Sequence, residues 1–245
     1  MDEETVKKLI LNNQDYSYLD IVGLHMHIGS QITQSSPYIN AIKNAARLIN
    51  FLKKQGIALK YLNIGGGLGI IYDKEKPQTA KAFAKKVLPL LKKLKLKIIL
   101  EPGRFIVGNA GILASKVTYV KETRTKKFII VDAAMNDLLR PSLYGAYHNI
   151  MPVVKSANNK QKSIKKADVV GPICESGDFL GKDRLINVEE SEGIAVFAAG
   201  AYAFSMSSNY NSRPRAAEVL VRGSRDYLIR KRETYKDLIN KEIIV

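Results

Sequence analysis

The sequence predicts an α/β segment followed by an antiparallel β-domain. Up to about residue 112, three apolar strand-like stretches alternate with amphipathic helical stretches, the grammar of a parallel sheet. In each unit the unusual residues fall at the C-terminal end of the strand, the face where α/β proteins place their chemistry. From about residue 114 the pattern becomes short alternating strands with little helix between them. The expected domains are therefore residues 1–112 and 113–245.

Met1 to Asn12 reads as a helix with Val6, Leu9 and Ile10 on one face and with no cap at its start. Ile21 to His27 reads as a buried strand that runs into the loop Ile28-Gly29-Ser30-Gln31. Ser36-Pro37, a cap followed by proline, opens a helix carrying Ile39, Ile42, Ala46, Ile49 and Leu52, and Gly56 closes it. A second strand, Ala58 to Ile64, enters Gly65-Gly66-Gly67-Leu68-Gly69. A third helix covers about Thr79 to Leu94, with Pro89 expected to kink it. A third strand, Lys97 to Leu100, delivers Glu101-Pro102-Gly103-Arg104. In the second half, strands are expected at Lys116 to Val120, Phe128 to Val131, Ala167 to Ile173, Ile194 to Ala199 and Ala217 to Val221. An exposed loop is expected at Ser156 to Lys166, and a helical tail at Arg225 to Asn240. A (β/α) barrel needs eight strands, so three cannot close one.

Composition narrows the function classes. A hydrophobic fraction of 46% and a charged fraction of 25% are those of an ordinary globular chain. No apolar run is long enough for a membrane span, and no signal-peptide pattern opens the chain. The single cysteine, Cys174, allows no internal disulfide, which points to a reducing cytoplasm. The formal charge of +16 invites a nucleic-acid reading. The excess, however, is mostly lysine on polar helix faces, without aromatic interleaving or zinc spacing, so a lysine-rich surface is the preferred reading.

Several stretches carry possible chemistry, and each also has a plain structural reading. Gly65 to Gly67 follows a strand and can bring bare amides to an anion; glycine turns after strands are also common. His25 and His27 share a strand face, but no third ligand lies near enough in sequence to argue for a metal, and none is expected. His27, nearer the loop, could stack on a flat cofactor. Glu101 and Arg104 could form only a turn salt bridge, or could hold a pyridine nitrogen and an anionic group. Arg140 and Tyr144 suit a carboxylate. Cys174-Glu175-Ser176-Gly177-Asp178 joins a thiol to a carboxylate, a proton donor beside an ammonium partner, although a lone Cys is commonly a small buried hydrophobe. Tyr202, in Gly200-Ala201-Tyr202, could be packing alone. A carboxylate for a ring nitrogen, a phosphate-binding turn and a stacking imidazole together suit pyridoxal 5'-phosphate.

On these residues the chain resembles the alanine-racemase-like (fold-type III) pyridoxal phosphate decarboxylases, which act on diaminopimelate, ornithine and arginine. The matching stretches are His25 to Gln31, Gly65 to Gly67, Glu101 to Arg104, Arg140 to Tyr144, Cys174 to Asp178 and Gly200 to Tyr202. Glu175 after Cys174 favours the diaminopimelate branch. The resemblance implies a carboxy-lyase that converts meso-2,6-diaminopimelate to L-lysine and CO2, the last step of lysine biosynthesis. It implies that His27 stacks on the cofactor ring, that Ser30, Gly66, Gly67, Gly103 and Arg104 hold its phosphate, and that Glu101 pairs with the ring nitrogen. Arg104, Arg140 and Tyr144 would bind substrate carboxylate, Glu175 the distal amino group, and Tyr202 both phosphate and substrate. Cys174 would return a proton where CO2 leaves. It further implies the C-terminal part of a cofactor-binding (β/α)8 barrel followed by the β-domain. The expected assembly is a homodimer in which Cys174 and Glu175 reach into the partner's barrel, with no nucleic-acid or membrane partner.

One departure stands out: the Schiff-base lysine of these enzymes, in a Tyr-x-x-Lys setting on an early barrel strand, has no counterpart here. The expectation is therefore a C-terminal part of a longer decarboxylase that begins inside a barrel helix and is poorly stable and inactive by itself. Two other readings compete. One is a non-catalytic relative that binds a partner; the other is a decarboxylase of a different basic amino acid or of a carboxylated polyamine.

Overall fold

A computed structural model describes residues 1–12, 15–154 and 166–243. The chain divides into two compact units, Met1–Ile106 and Val107–Val245.

The first unit is a three-stranded parallel sheet with helices. Helix α1 (Glu3–Leu11) opens it, and here the structure corrects the sequence reading, because the helix is capped. Asp2 is extended, and its carboxylate accepts from the Thr5 amide at 2.9 Å and from the Thr5 hydroxyl at 2.7 Å. Asp2 was overlooked because only one residue precedes it, yet it satisfies an amide that the first turn leaves open. Ile10 is the buried residue of this helix, whereas Leu9 is exposed. Strand β1 (Gly23–His25) is shorter than expected and not buried, with His25 exposed. Helix α2 (Ser36–Lys54) has Ser35, not Ser36, at its N-cap position. The Ser35 hydroxyl hydrogen-bonds Gln78 instead of capping, so Pro37 alone favours this start. Its buried face is Tyr38, Ile42, Leu48, Ile49 and Leu52.

Strand β2 (Tyr61–Asn63) pairs with β1 and with β3 (Lys97–Ile99), both in parallel. Between them runs helix α3 (Ala80–Leu94), capped by Thr79, whose hydroxyl accepts from Ala82 at 3.2 Å. Pro89 lies inside α3 on its exposed side, where water can satisfy the carbonyl that loses its donor. Phe83, Val87 and Leu91 of α3 join the α2 face and Leu62 and Ile64 in one core. The register sets His25, Asn63 and Ile99 side by side. His27, Gly65 and Glu101 each follow two residues later, so they leave the same edge of the sheet together.

The short helix α4 (Gly103–Val107) follows Glu101. In the second unit, β4 (Leu113–Glu122) is the longest strand. It pairs with β5 (Lys127–Val131) along one half and with β9 (Gly193–Val196) along the other. Helix α5 (Arg140–Tyr144) and strands β6 (Ile150–Pro152), β7 (Lys166–Val170) and β8 (Phe179–Leu185) complete a six-stranded sheet and its cover, in the order β6-β9-β4-β5-β7-β8. The sheet is antiparallel except where β5 meets β7. Strand β8 had no sequence signal because Gly181, Lys182 and Asp183 are poor strand formers; pairing with β7 carries it, across two register shifts. The core includes Val117, Ile129, Val131, Val169, Leu180 and Ile194.

The tail corrects the sequence reading a second time. Residues 225–240 do not form one helix: β10 (Glu218–Arg222) and β11 (Arg225–Arg230) make an antiparallel hairpin, and only α6 (Tyr235–Ile239) is helical. The turn is two residues, Gly223-Ser224, with Gly223 at φ +62, a conformation glycine adopts without steric cost. Thr234 and Asp237 then form a capping box that starts α6. The expected loop at 156–166 lies outside the described residues except for Lys166, the first residue of β7.

Candidate active site

In the first unit the site is built at the C-terminal edge of the parallel sheet. Asn63 Nδ2 donates to Glu101 Oε1 at 2.6 Å, and Asn63 Oδ1 accepts from the Gly65 amide at 2.8 Å. One amide side chain thereby fixes both the carboxylate and the start of the glycine turn. His25 Nε2 lies 3.7 Å from Glu101 Oε1, and the Glu101 side chain remains 48% exposed. The carboxylate is held and still reachable. Asn63 and His25 escaped the sequence reading as partners of Glu101 because they sit on the other two strands of the sheet, and only the parallel register joins them.

The glycine turn has little freedom. Gly67 stands at φ +96, and a Cβ on Gly66 would lie 2.1 Å from the Glu101 carbonyl oxygen. The turn needs glycine because the backbone after β3 presses against it. Tyr38, buried in α2, donates its hydroxyl to the Gly66 carbonyl at 2.7 Å, and burial pushes its phenol up to about 12. The Gly66 amide donates to His27 Nδ1 at 3.3 Å, which leaves the neutral imidazole's proton on Nε2. The loop carrying Ser30 runs alongside: Ile32 donates to Gly67 O at 2.9 Å, and Gln31 brackets Ile70 through both its side-chain atoms. Gly103 opens α4, and the Arg104 guanidinium lies 5.6 Å from the centre of the Tyr72 ring. The structure thus gathers His27, Gly66, Gly67 and Glu101 at one edge, with Ser30, Gly103 and Arg104 on the adjoining loop and helix.

In the second unit, Arg140 starts α5 and is buried. Its Nη1 lies 2.9 Å from Nε2 of His148, which is fully buried, and His148 Nδ1 lies 2.8 Å from the Phe197 carbonyl. A guanidinium only donates and a carbonyl only accepts, so His148 is neutral with its proton on Nδ1. Sequence reasoning passed over His148 because nothing local distinguishes it; its partner is eight residues away and its second contact lies on the segment after β9. Tyr144, at the end of the same short helix, is 64% exposed. Cys174 and Glu175 sit on an exposed turn between β7 and β8. The Tyr210 hydroxyl donates to Glu175 Oε2 at 3.2 Å, and that bond raises the tyrosine's pKa. Ser142 of α5 donates to the Gly177 carbonyl at 2.6 Å, which ties the Arg140–Tyr144 helix to the Cys174 turn. Tyr202 occupies the left-handed region at φ +62, a conformation that costs a bulky side chain energy and that tightly placed sites tolerate.

Among the described residues, no group of three or more His, Cys, Asp or Glu could hold a metal ion, and no helix is long and apolar enough to cross a membrane.

Comparison with known proteins gives this geometry a context. The family described as "Pyridoxal-dependent decarboxylase, C-terminal sheet domain" matches residues 12–200. Diaminopimelate decarboxylase of Aquifex aeolicus is 52% identical over 92% of this chain and 53% of its own length. That of Neisseria meningitidis serogroup B is 48% identical over 92% of this chain and 53% of its own length. A crystal structure from Aquifex aeolicus superposes with a TM-score of 0.95 at 48% identity, covering 100% of this chain and 60% of that one. Diaminopimelate decarboxylase of Helicobacter pylori, solved in complex with L-lysine, superposes at 0.88 and 40% identity, covering 97% of this chain and 58% of that one. The chain spans about half the length of the curated relatives it matches. Its fold is that of the matching part of these fold-type III structures, a portion of the cofactor-binding barrel followed by the sheet domain.

Proposed function

We propose that this chain, which belongs to the pyridoxal-dependent decarboxylase family, furnishes the cofactor cup and the substrate-binding groups of an enzyme that converts meso-2,6-diaminopimelate to L-lysine and CO2. The observation that carries this reading is Glu101, pinned by Asn63 and open to solvent at the edge where the glycine turn and His27 also emerge. A carboxylate that keeps a ring nitrogen protonated must be both fixed and accessible, and Glu101 is both. The residues fit pyridoxal phosphate: a flat imidazole, held by the Gly66 amide, stands beside a glycine turn and that carboxylate. Bound there, the cofactor supplies the electron sink for loss of CO2.

Each residue then has a task. Glu101 holds the proton on the ring nitrogen, and Asn63 keeps the carboxylate aimed. His27 stacks on the ring, and Ser30, Gly66, Gly67, Gly103, Arg104 and Tyr202 bind the phosphate. Arg104, Arg140 and Tyr144 grip substrate carboxylate, with His148 bonded to the Arg140 guanidinium. Glu175, oriented by Tyr210, receives the distal ammonium, and Tyr202 also contacts substrate. Cys174 delivers the proton that replaces CO2. We further infer a homodimer in a cytoplasmic setting, the latter supported by the single cysteine.

The test begins with the protein purified from its source, its intact mass measured, and its turnover compared on meso-diaminopimelate, ornithine and arginine in the presence of pyridoxal phosphate. L-lysine formed from diaminopimelate at a rate well above that of the other two substrates supports the proposal. Preferred turnover of ornithine or arginine moves it to another basic amino acid. A mass of 27.3 kDa with no turnover of any substrate favours the partner-binding reading.

A further inference from the structure

The turn that carries Cys174 and Glu175 is exposed, yet it is anchored at both ends by buried residues, Ile173 and Asp178. Asp178 does most of the anchoring. Its Oδ2 accepts from the Ile173 amide at 2.7 Å and its Oδ1 from the Met135 amide at 2.7 Å. Its own amide donates to the Glu175 carbonyl at 3.0 Å, and its carbonyl accepts from Gly171 at 3.2 Å. Both oxygens accept from backbone N–H, which favours the ionised carboxylate, while burial outweighs those bonds and raises its pKa. Gly171 is required beside it, because a Cβ there would lie 2.4 and 2.6 Å from the two carboxylate oxygens and 2.7 Å from the Ala134 Cα.

Met135 belongs to the segment that leads into Arg140. That segment is folded on itself by Asp137, whose carboxylate accepts from the Ala134 amide at 3.0 Å. A second tie runs in parallel, from the Ser142 hydroxyl on α5 to the Gly177 carbonyl at 2.6 Å. Two bonds from the Arg140 side, one to a carboxylate and one from a hydroxyl, therefore converge on the five residues that include Cys174 and Glu175.

We propose that Asp178 is a positioning residue that locks the Cys174–Glu175 turn and the Arg140 segment into one fixed geometry. It acts through its neighbours: its carboxylate faces backbone amides, and the groups offered to a substrate are those it holds. The idea rests on the functional reading above for its significance, but the lock itself is a property of this chain and is tested without turnover.

The experiment is hydrogen-exchange mass spectrometry on Asp178→Asn and Ser142→Ala, with Leu180→Ala, a core change in β8, as a control. Asparagine keeps the size of Asp178, but it offers one oxygen to two amides and turns an N–H toward the other. Expected is an increase of about tenfold or more in exchange of both the 132–139 and 171–178 segments in Asp178→Asn, with residues 61–69 unchanged. Ser142→Ala, which alters no charge, should speed exchange in 171–178. Because Cys174 is the only thiol, the pH dependence of its alkylation reports the turn directly. Ser142→Ala should shift that profile, whereas Leu180→Ala should lower stability and leave it in place. Exchange in both segments within about twofold of wild type in Asp178→Asn, or an unmoved alkylation profile in Ser142→Ala, overturns the proposal. If Asp178→Asn does not fold, Asp178→Glu, which keeps both carboxylate oxygens but moves them by one methylene, is read in the same two segments by the same criterion. A lock confirmed in this chain, while the protein purified from its source with its Schiff-base lysine turns over no substrate, would sink the functional reading and leave this one standing.

Discussion

Tyr38→Phe isolates the contact that supports the glycine turn. Phenylalanine fills the same space in the α2 face, so the change removes only the hydroxyl that donates to the Gly66 carbonyl at 2.7 Å. Leaving a buried acceptor without its donor costs about 1–3 kcal/mol. Expressed locally, that is a ~5- to 150-fold faster amide exchange in residues 61–69. A second signature comes from ionisation. Burial raises the Tyr38 phenol from 10.0 to about 12, so folding holds the group neutral. Its contribution is fully present below the unfolded value and is lost as pH rises from there through the folded value. Linkage between those two values gives a loss of about 1.3 kcal/mol between pH ~9 and pH ~11, out of ~2.7 kcal/mol in all. Urea unfolding of both proteins across that pH range reads it: Tyr38→Phe should be the less stable at the lower pH, and the gap should narrow as pH rises. A gap that stays constant with pH, or unchanged exchange in residues 61–69, refutes the claim that this hydroxyl supports the turn.

Two further outcomes follow, one at the same turn and one in the second unit. Gly66→Ala places a Cβ 2.1 Å from a backbone oxygen that cannot rotate away, so the cost should reach or exceed the ~1–3 kcal/mol of ordinary overpacking, read as a lowered urea midpoint. Glu233 is held below the usual carboxylate range by the Arg215 amide and the Asn209 side chain. Its stabilisation is present above the unfolded carboxylate's pKa and is lost as pH falls through its folded value. Glu233→Gln should therefore lower the melting temperature at neutral pH, by an amount that shrinks to nothing in acid.

How much was legible in the sequence varied with the range of the interaction that fixed each feature. The helical periodicity that predicts a helix over Thr79 to Leu94 places α3 within a residue of its observed start, because such periodicity is local. The tail went wrong for the complementary reason: residues 225–230 are held as a strand by pairing with 218–222, and a single-segment reading favoured helix. Strand β8, with glycine and aspartate in its interior, exists only because β7 lies beside it.

The site divides in the same way. The sequence by itself singled out the candidate residues, because Glu101-Pro102-Gly103-Arg104, the glycine turn and Cys174-Glu175 are contiguous motifs. Only the tertiary structure decided what holds them. Asn63 reaches Glu101 across 38 residues, Tyr38 reaches Gly66 across 28, and Asp178 reaches Met135 across 43. A hydrogen bond between distant residues leaves no periodicity or spacing in the chain, since its geometry is set by strand register and helix packing that form only when the core does.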